Sequence, residues 1–231
     1  MRSIGIDTSL AEGTVAAAEG ERTAEAGFAP APEHARRIAS ALRDTAATLG
    51  WRPADADLVV VVRGPGSFTG LRVGIATAKG IAWAAGIPLA AVSGFHVVAE
   101  RAGSDGAPIH VAFDAGRGEV HAAVVVADAS SPSGWTTRSD VLAPFHEWID
   151  SLPAGATVSG PALDLPAVGE AVARRGDLRP VDAPHRRGTA LVAVRIGERL
   201  AAAGGCVDPF VLVPDYSRPS YVQENTPRPS R

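Results

Sequence analysis

Two rounds of one element pattern predict an α/β chain of two related lobes with mixed sheets. Three observations carry this. The chain opens as a meander of short strands. Strands then alternate with amphipathic helices. After Gly103-Ser104-Asp105-Gly106 the pattern starts again. The lobes are therefore expected at 1–103 and 104–231.

In the first round, Ser3 to Asp7 alternates apolar and small residues and reads as a strand. Gly13 to Glu19 and Arg22 to Phe28 are two more, joined by Glu19-Gly20-Glu21, and Pro30 and Pro32 close the meander. From Glu33 to Leu49 one apolar stripe recurs at helical spacing through Ala35, Ile38, Ala39, Leu42, Ala46 and Leu49. Leu58 to Val62 is an unbroken apolar run suited to a strand buried on both faces. A glycine-rich loop, a helix from about Thr69 to Ala85, a strand at Leu89 to Val92 and a helix at Gly94 to Ala102 follow. The second round has strands at Ile109 to Asp114 and Glu119 to Ala127, then a polar loop from Asp128 to Gly134. A helix near Pro144 to Ser151, a strand at Thr157 to Ser159 and helices near Leu165 to Arg175 and Thr189 to Ala203 complete it. The last helix is placed back on the first lobe. The tail after Pro214 is expected to be extended or disordered, and flexible beyond about 218.

Composition sets bounds on function. The 231 residues are 46% hydrophobic and 20% charged, as in a globular protein with a substantial core. The 22 basic and 25 acidic side chains leave a net charge of −3, which excludes a basic surface as the main affinity. One cysteine, Cys206, excludes a disulfide framework. His34, His96, His110, His121, His146 and His185 are scattered and form no helical metal pair, so no metal site is expected. Gly80 to Ala99 carries no charge, but Gly86, Pro88, Gly94 and His96 interrupt it, so a buried helix, turn and strand are expected rather than a membrane span. With no targeting segment at the start, the expected location is the cytoplasm.

Two segments can carry chemistry. The first is Gly64-Pro65-Gly66-Ser67-Phe68-Thr69-Gly70-Leu71-Arg72-Val73-Gly74, between a buried strand and a helix. Its glycines let the backbone turn tightly or approach a neighbour, and Ser67 or Thr69 can cap the helix. It is neither a Walker A loop nor a dinucleotide fingerprint. Beyond it, Gly70, Gly74, Ala78 and Ala82 share one helix face. Two readings stand: close approach of another helix, or close packing on the chain's own sheet. The second segment is Asp7-Thr8-Ser9 at the end of the first strand. Actin-like and sugar-kinase-like ATPases wrap nucleotide phosphates there with Asp-x-Gly-Thr. With Ser9 in place of glycine, a vestigial nucleotide site is expected. Asp114 to His121 reads as a charged hairpin. The densest basic stretch, Arg174, Arg175, Arg179, Arg186 and Arg187, is interrupted by Asp177 and Asp182 and lacks an aromatic stacking platform.

Ile6-Asp7-Thr8-Ser9, the Gly64 to Gly74 string and Asp114 to Val120 together resemble the bacterial TsaB (YeaZ) family of tRNA threonylcarbamoyladenosine biosynthesis. The likeness runs from the first strand to about residue 127, and more loosely to Arg218. Departures fall at Gly116, at His121 and in Pro214-Asp215-Tyr216-Ser217-Arg218, where the family often has Pro-x-Tyr-Leu-Arg. The resemblance implies a two-lobed actin/Hsp70/sugar-kinase-like (ASKHA) fold. It also implies a non-catalytic scaffold for a TsaD-like transferase that modifies an adenosine beside the anticodon, with a TsaE-like ATPase as a further partner. The expected interface packs Ala35, Ile38, Ala39 and Leu42, with Leu71, Gly74, Ile75 and Ala78, against TsaD or a second copy, a homodimer forming when the chain is alone. No cofactor is required of this chain, ATP or ADP being placed at the complex interface or on partners. tRNA is reached only through the complex, and no membrane is involved. The rivals are a small-molecule kinase or ATPase of the same fold using Asp7, and a glycoprotease-like hydrolase.

Overall fold

The structure, a computed structural model, describes residues 1–28 and 34–217. Two five-stranded sheets are built alike. In the first, β1 (Arg2–Asp7), β2 (Gly13–Glu19) and β3 (Arg22–Phe28) form the antiparallel meander. β4 (Leu58–Gly64) and β5 (Leu89–Ser93) then add in parallel on the β1 side, giving the order β3-β2-β1-β4-β5. The second sheet repeats this with β6 (Ile109–Gly116), β7 (Glu119–Ala127) and β8 (Trp135–Pro144) as the meander. β9 (Thr157–Ser159) and β10 (Arg179–Pro180) run parallel beside β6, in the order β10-β9-β6-β7-β8.

Helices α1 (His34–Ala47) and α2 (Phe68–Ala85) cover one face of the first sheet, and α6 (Ala190–Ala202) covers the other. This double cover accounts for the unbroken apolar run in β4. Val59 and Val61 face the α1–α2 side, Leu58, Val60 and Val62 face α6, and all five are fully buried. α3 (Gly94–Ala102) lies between the sheets, its Phe95, Val98 and Ala99 packing on Ile109, Val111 and Phe113. α4 (Phe145–Ser151) and α5 (Pro166–Arg175) close the second core against Val120, Ala122 and Val158. No helix among the described residues is long and apolar enough to cross a membrane.

Some elements differ from the sequence reading. β8 is an edge strand whose residues from Thr137 to Leu142 are exposed, so no alternation of buried and exposed side chains marks it. β10 has two residues and no pattern to detect. Glu33, the expected start of the first helix, and the tail beyond 217 lie outside the described residues. The stretch from Pro214 to Ser217 is pinned rather than free: Asp215 N–H donates to the Arg63 carbonyl at 2.7 Å. In the Asp114 to His121 hairpin the Asp114 carboxylate accepts from the Gly116 N–H at 2.8 Å and closes the turn.

α6 approaches the sheet closely because glycines stand at the contact. A Cβ at Gly5 would sit 2.6 Å from the Ala190 carbonyl oxygen and from a Val194 methyl, and one at Gly197 would sit 2.5 Å from Val60. Gly5→Val is therefore expected to destabilise the chain by about 1–3 kcal/mol in a urea titration. Gly80→Ala is the contrasting case. Gly80 lies on the outer side of α2 with nothing within 4 Å of its Cβ position. That substitution should stabilise by about 0.5–1 kcal/mol. Equal effects from the two would contradict this account of the packing.

Candidate partner surface and the sealed end of the first strand

Asp7, Thr8 and Ser9 end β1 and are buried. The signature loop folds directly over Thr8 and Ser9. Ser67 N–H donates to the Ser9 carbonyl at 2.7 Å. Thr8 Oγ1 donates to the Gly70 carbonyl at 2.7 Å. Ser67 caps α2, its hydroxyl accepting from Gly70 N–H at 3.2 Å. Any side chain at Gly66 would strike the Ser9 backbone, at Gly70 the Thr8 carbonyl, and at Gly74 the Thr8 hydroxyl. The glycines thus serve a backbone-to-backbone contact inside the chain. The two segments that the sequence reading kept apart form one cluster.

This decides between the two readings of the small-residue face. Gly70, Gly74, Ala78 and Ala82 are all buried against the chain's own sheet. The expected interface needs the same correction. Ile38, Leu42, Leu71, Gly74, Ile75 and Ala78 are buried in the first core, and of the eight residues only Ala35 and Ala39 are exposed. The outer face of α2 is instead Arg72, Ala76, Gly80 and Trp83, the last 72% exposed. A signal existed in the sequence. Leu71 and Ile75 lie in the same helical sector as Gly70 and Gly74, whereas Arg72 and Lys79 flank Ala76 and Trp83.

The Asp7 carboxylate accepts from Ser9 N–H at 2.9 Å and from the Ser9 hydroxyl at 2.6 Å. Burial pushes its pKa above the ordinary carboxylate value despite these two bonds. The amide that a phosphate-wrapping turn would offer is thus spent on Asp7.

Between the lobes lie two adjoining cavities of about 610 Å³ each, sharing Leu10, Glu12, Asp164 and Arg187. Several donors around them are occupied by the chain's own acceptors. At the start of α6, Ala190 N–H donates to Thr14 Oγ1 at 2.9 Å and Leu191 N–H to the Glu25 carboxylate at 2.8 Å. Arg187 donates to Asp164 at 2.7 Å, and Arg101 to the Pro184 carbonyl at 3.0 Å. The basic stretch is similarly engaged. Arg174 pairs with Glu170, Arg175 with Asp177, and Arg186 and Arg187 with Asp164.

Missed entirely was a cluster at the α2 N-terminus. The Tyr216 ring packs 4.7 Å from Phe68, and its hydroxyl accepts from Arg72 Nε at 2.7 Å. Only the Pro214-Asp215-Tyr216 motif hinted at it, and a motif alone names no contact.

Residues 15–131 match the family described as TsaD, tRNA N6-adenosine threonylcarbamoyltransferase. The chain belongs to this family. Its relatives include both members named TsaB and transferases, among them the tRNA N6-adenosine threonylcarbamoyltransferase of Sorangium cellulosum, 30% identical over 214 residues, 78% of this chain and 59% of that protein. The tRNA threonylcarbamoyladenosine biosynthesis protein TsaB of Escherichia coli is 37% identical over 124 residues, 52% of this chain and 53% of that protein. The TsaB protein of Bacillus subtilis is 36% identical over 88 residues, 38% of each chain. The chain thus spans less than two thirds of the length of these curated relatives. The solved structure of YeaZ from Pseudomonas aeruginosa shares the fold with a TM-score of 0.75 at 22% identity, over 93% of this chain and 99% of that one. The fold is accordingly that of YeaZ, built here on two mixed five-stranded sheets.

Asp7 supplies a pH test. Its native pKa is raised, so the folded state holds the proton to higher pH than the unfolded chain does. The associated stability is present in acid and is lost as pH rises from the ordinary carboxylate pKa through the native one. Asp7→Asn keeps a neutral group there. Its thermal midpoint should exceed that of the parent chain by an amount that grows as the pH rises above about 4, the ordinary carboxylate value. A variant less stable than the parent at pH 7 would show that the Ser9 bonds to the charged form outweigh burial.

Proposed function

We propose that this chain is a non-catalytic partner subunit in tRNA threonylcarbamoyladenosine biosynthesis, docking on a TsaD-like transferase. The observation that carries the reading is the sealed end of β1. A turn that wraps phosphate must leave its backbone open to the ligand, and here Thr8 and Ser9 are bonded to the chain's own signature loop. The same packing turns the outer face of α2 to solvent, with Trp83 as an exposed aromatic of the kind that anchors interfaces. The interface we propose is that face together with Ala35 and Ala39 of α1. The alternative occupant is a second copy when the chain is alone. Under this reading the chain needs no cofactor. ATP or ADP belongs to the complex interface or to partners, a TsaE-like ATPase among them. tRNA is engaged through the assembly, since most of the chain's clustered arginines are tied to its own acids.

Two experiments test this. Ala76→Arg and Trp83→Ala should leave the fold intact and weaken binding to the TsaD-like chain of the same organism by about 30- to 1000-fold, the effect of losing roughly 2–4 kcal/mol at an interface centre. Gly74→Arg should unfold the chain, because Gly74 is buried against Thr8. Unchanged affinity with both surface variants, or nucleotide turnover by the isolated chain, would overturn the reading. Second, the isolated chain should bind tRNA no tighter than the roughly 10⁻⁴–10⁻⁶ M of non-specific association at physiological salt. Submicromolar binding in a salt titration would make it a tRNA-recognition subunit instead.

A further inference from the structure

The segment from Val207 to Ser217 joins parts of the molecule that the proposed interface does not require to be joined. Val207 N–H donates to the Leu89 carbonyl at 2.8 Å, beside β5. Leu212 is buried in the core beneath α2. The segment then crosses the signature loop. Asp215 bonds to the Arg63 carbonyl, and its own carbonyl lies against Gly64, which has a φ of 134° and no room for a side chain. Tyr216 packs on Phe68 and accepts from Arg72, whose guanidinium also covers the Phe68 ring at 3.8 Å.

The next residue reaches the second lobe. Ser217 Oγ is 3.2 Å from His121 Nδ1 on β7, and His121 Nε2 is 2.9 Å from Asp140 on β8. A carboxylate only accepts, so Nε2 carries a proton, and the Ser217 hydroxyl, which can donate or accept, bonds Nδ1. The His121 side chain is 10% exposed and meets Phe95 edge-on at 5.0 Å, which holds the ring in place.

We infer that residues 214–217 are a clasp that ties the signature loop and the first turn of α2 to the second sheet, holding the two lobes at one angle. A second tie lies toward the other end of α3. Glu100 accepts from both terminal nitrogens of Arg199 on α6, at 3.1 and 2.8 Å, and from Trp135 Nε1 on β8 at 2.5 Å. Arg199 also donates to the Ser133 carbonyl at 2.8 Å. One tie would leave a hinge. Ties near both ends of the helix between the lobes resist opening in either sense. The inference stands whether or not the proposed partner is right.

The test uses the full chain carrying Tyr216→Ala and Ser217→Ala together, read by hydrogen exchange. Amides at 63–72 and at 119–124 should both exchange at least about tenfold faster, since local opening sets exchange rates. The distance between spin labels at Thr23 and Arg174, with Cys206→Ser in the background, should broaden. Faster exchange at 63–72 alone, with β7 and the label distance unchanged, would mean that the segment merely covers the loop, and would overturn the clasp. Ser217→Ala alone removes only the bond between the lobes, so it keeps the test open if the double variant does not fold. It must by itself speed exchange at 119–124, and no change there would overturn the inference.

Discussion

The structure depends most on the contact between the end of β1 and the N-terminal turn of α2, made backbone to backbone. Thr8 and Ser9 carbonyls meet Gly70 and Gly66, and the Thr8 hydroxyl meets Gly74. No side chain fits at those glycines without moving α2 off the sheet. Because α2 is held there, Leu71, Ile75, Ala78 and Ala82 fall into the core, and the opposite face is turned outward. The same contact fixes Gly64 where Asp215 can lie on it. One steric requirement thus sets the buried face of α2, the closed state of the strand end and the docking site of the C-terminal segment.

The repeated sheet topology follows from a simpler rule. A meander leaves one open edge at its first strand, and parallel strands delivered by helices add there. In the first lobe the sheet is then covered on both faces, which demands apolar residues at every position of β4 and small ones where α6 comes closest. Val59 and Val61 answer one cover, Leu58, Val60 and Val62 the other, and Gly5 and Gly197 admit α6. The second lobe reuses the order with shorter parallel strands and an exposed edge at β8.

Those same rules explain what was legible in the sequence. The meander, the β4 run and the amphipathic helices carry their periodicity locally, so their existence and kind are readable. β8 and β10 are not, because an exposed edge strand or a two-residue pairing leaves no pattern of burial in its own residues. For the candidate site, Asp7-Thr8-Ser9 and the Gly64 to Gly74 string stand out by composition. That they touch each other is information about the fold. Likewise Tyr216 is unremarkable in sequence, because its partners Phe68 and Arg72 are almost 150 residues away.

The error about the partner surface has a definite cause. α2 carries two small-residue stripes at the same four-residue spacing, Gly70-Gly74-Ala78-Ala82 and Ala76-Gly80-Ala84. Spacing alone cannot say which meets the sheet and which meets solvent. The larger neighbours can. Leu71 and Ile75 share the first sector and require burial, while Arg72 and Lys79 border the second and keep it wet. Small residues permit close approach, but they do not choose what approaches. The choice belongs to the side chains beside them, and here it assigns the first stripe to β1 and leaves the second, with Trp83 at its edge, to solvent.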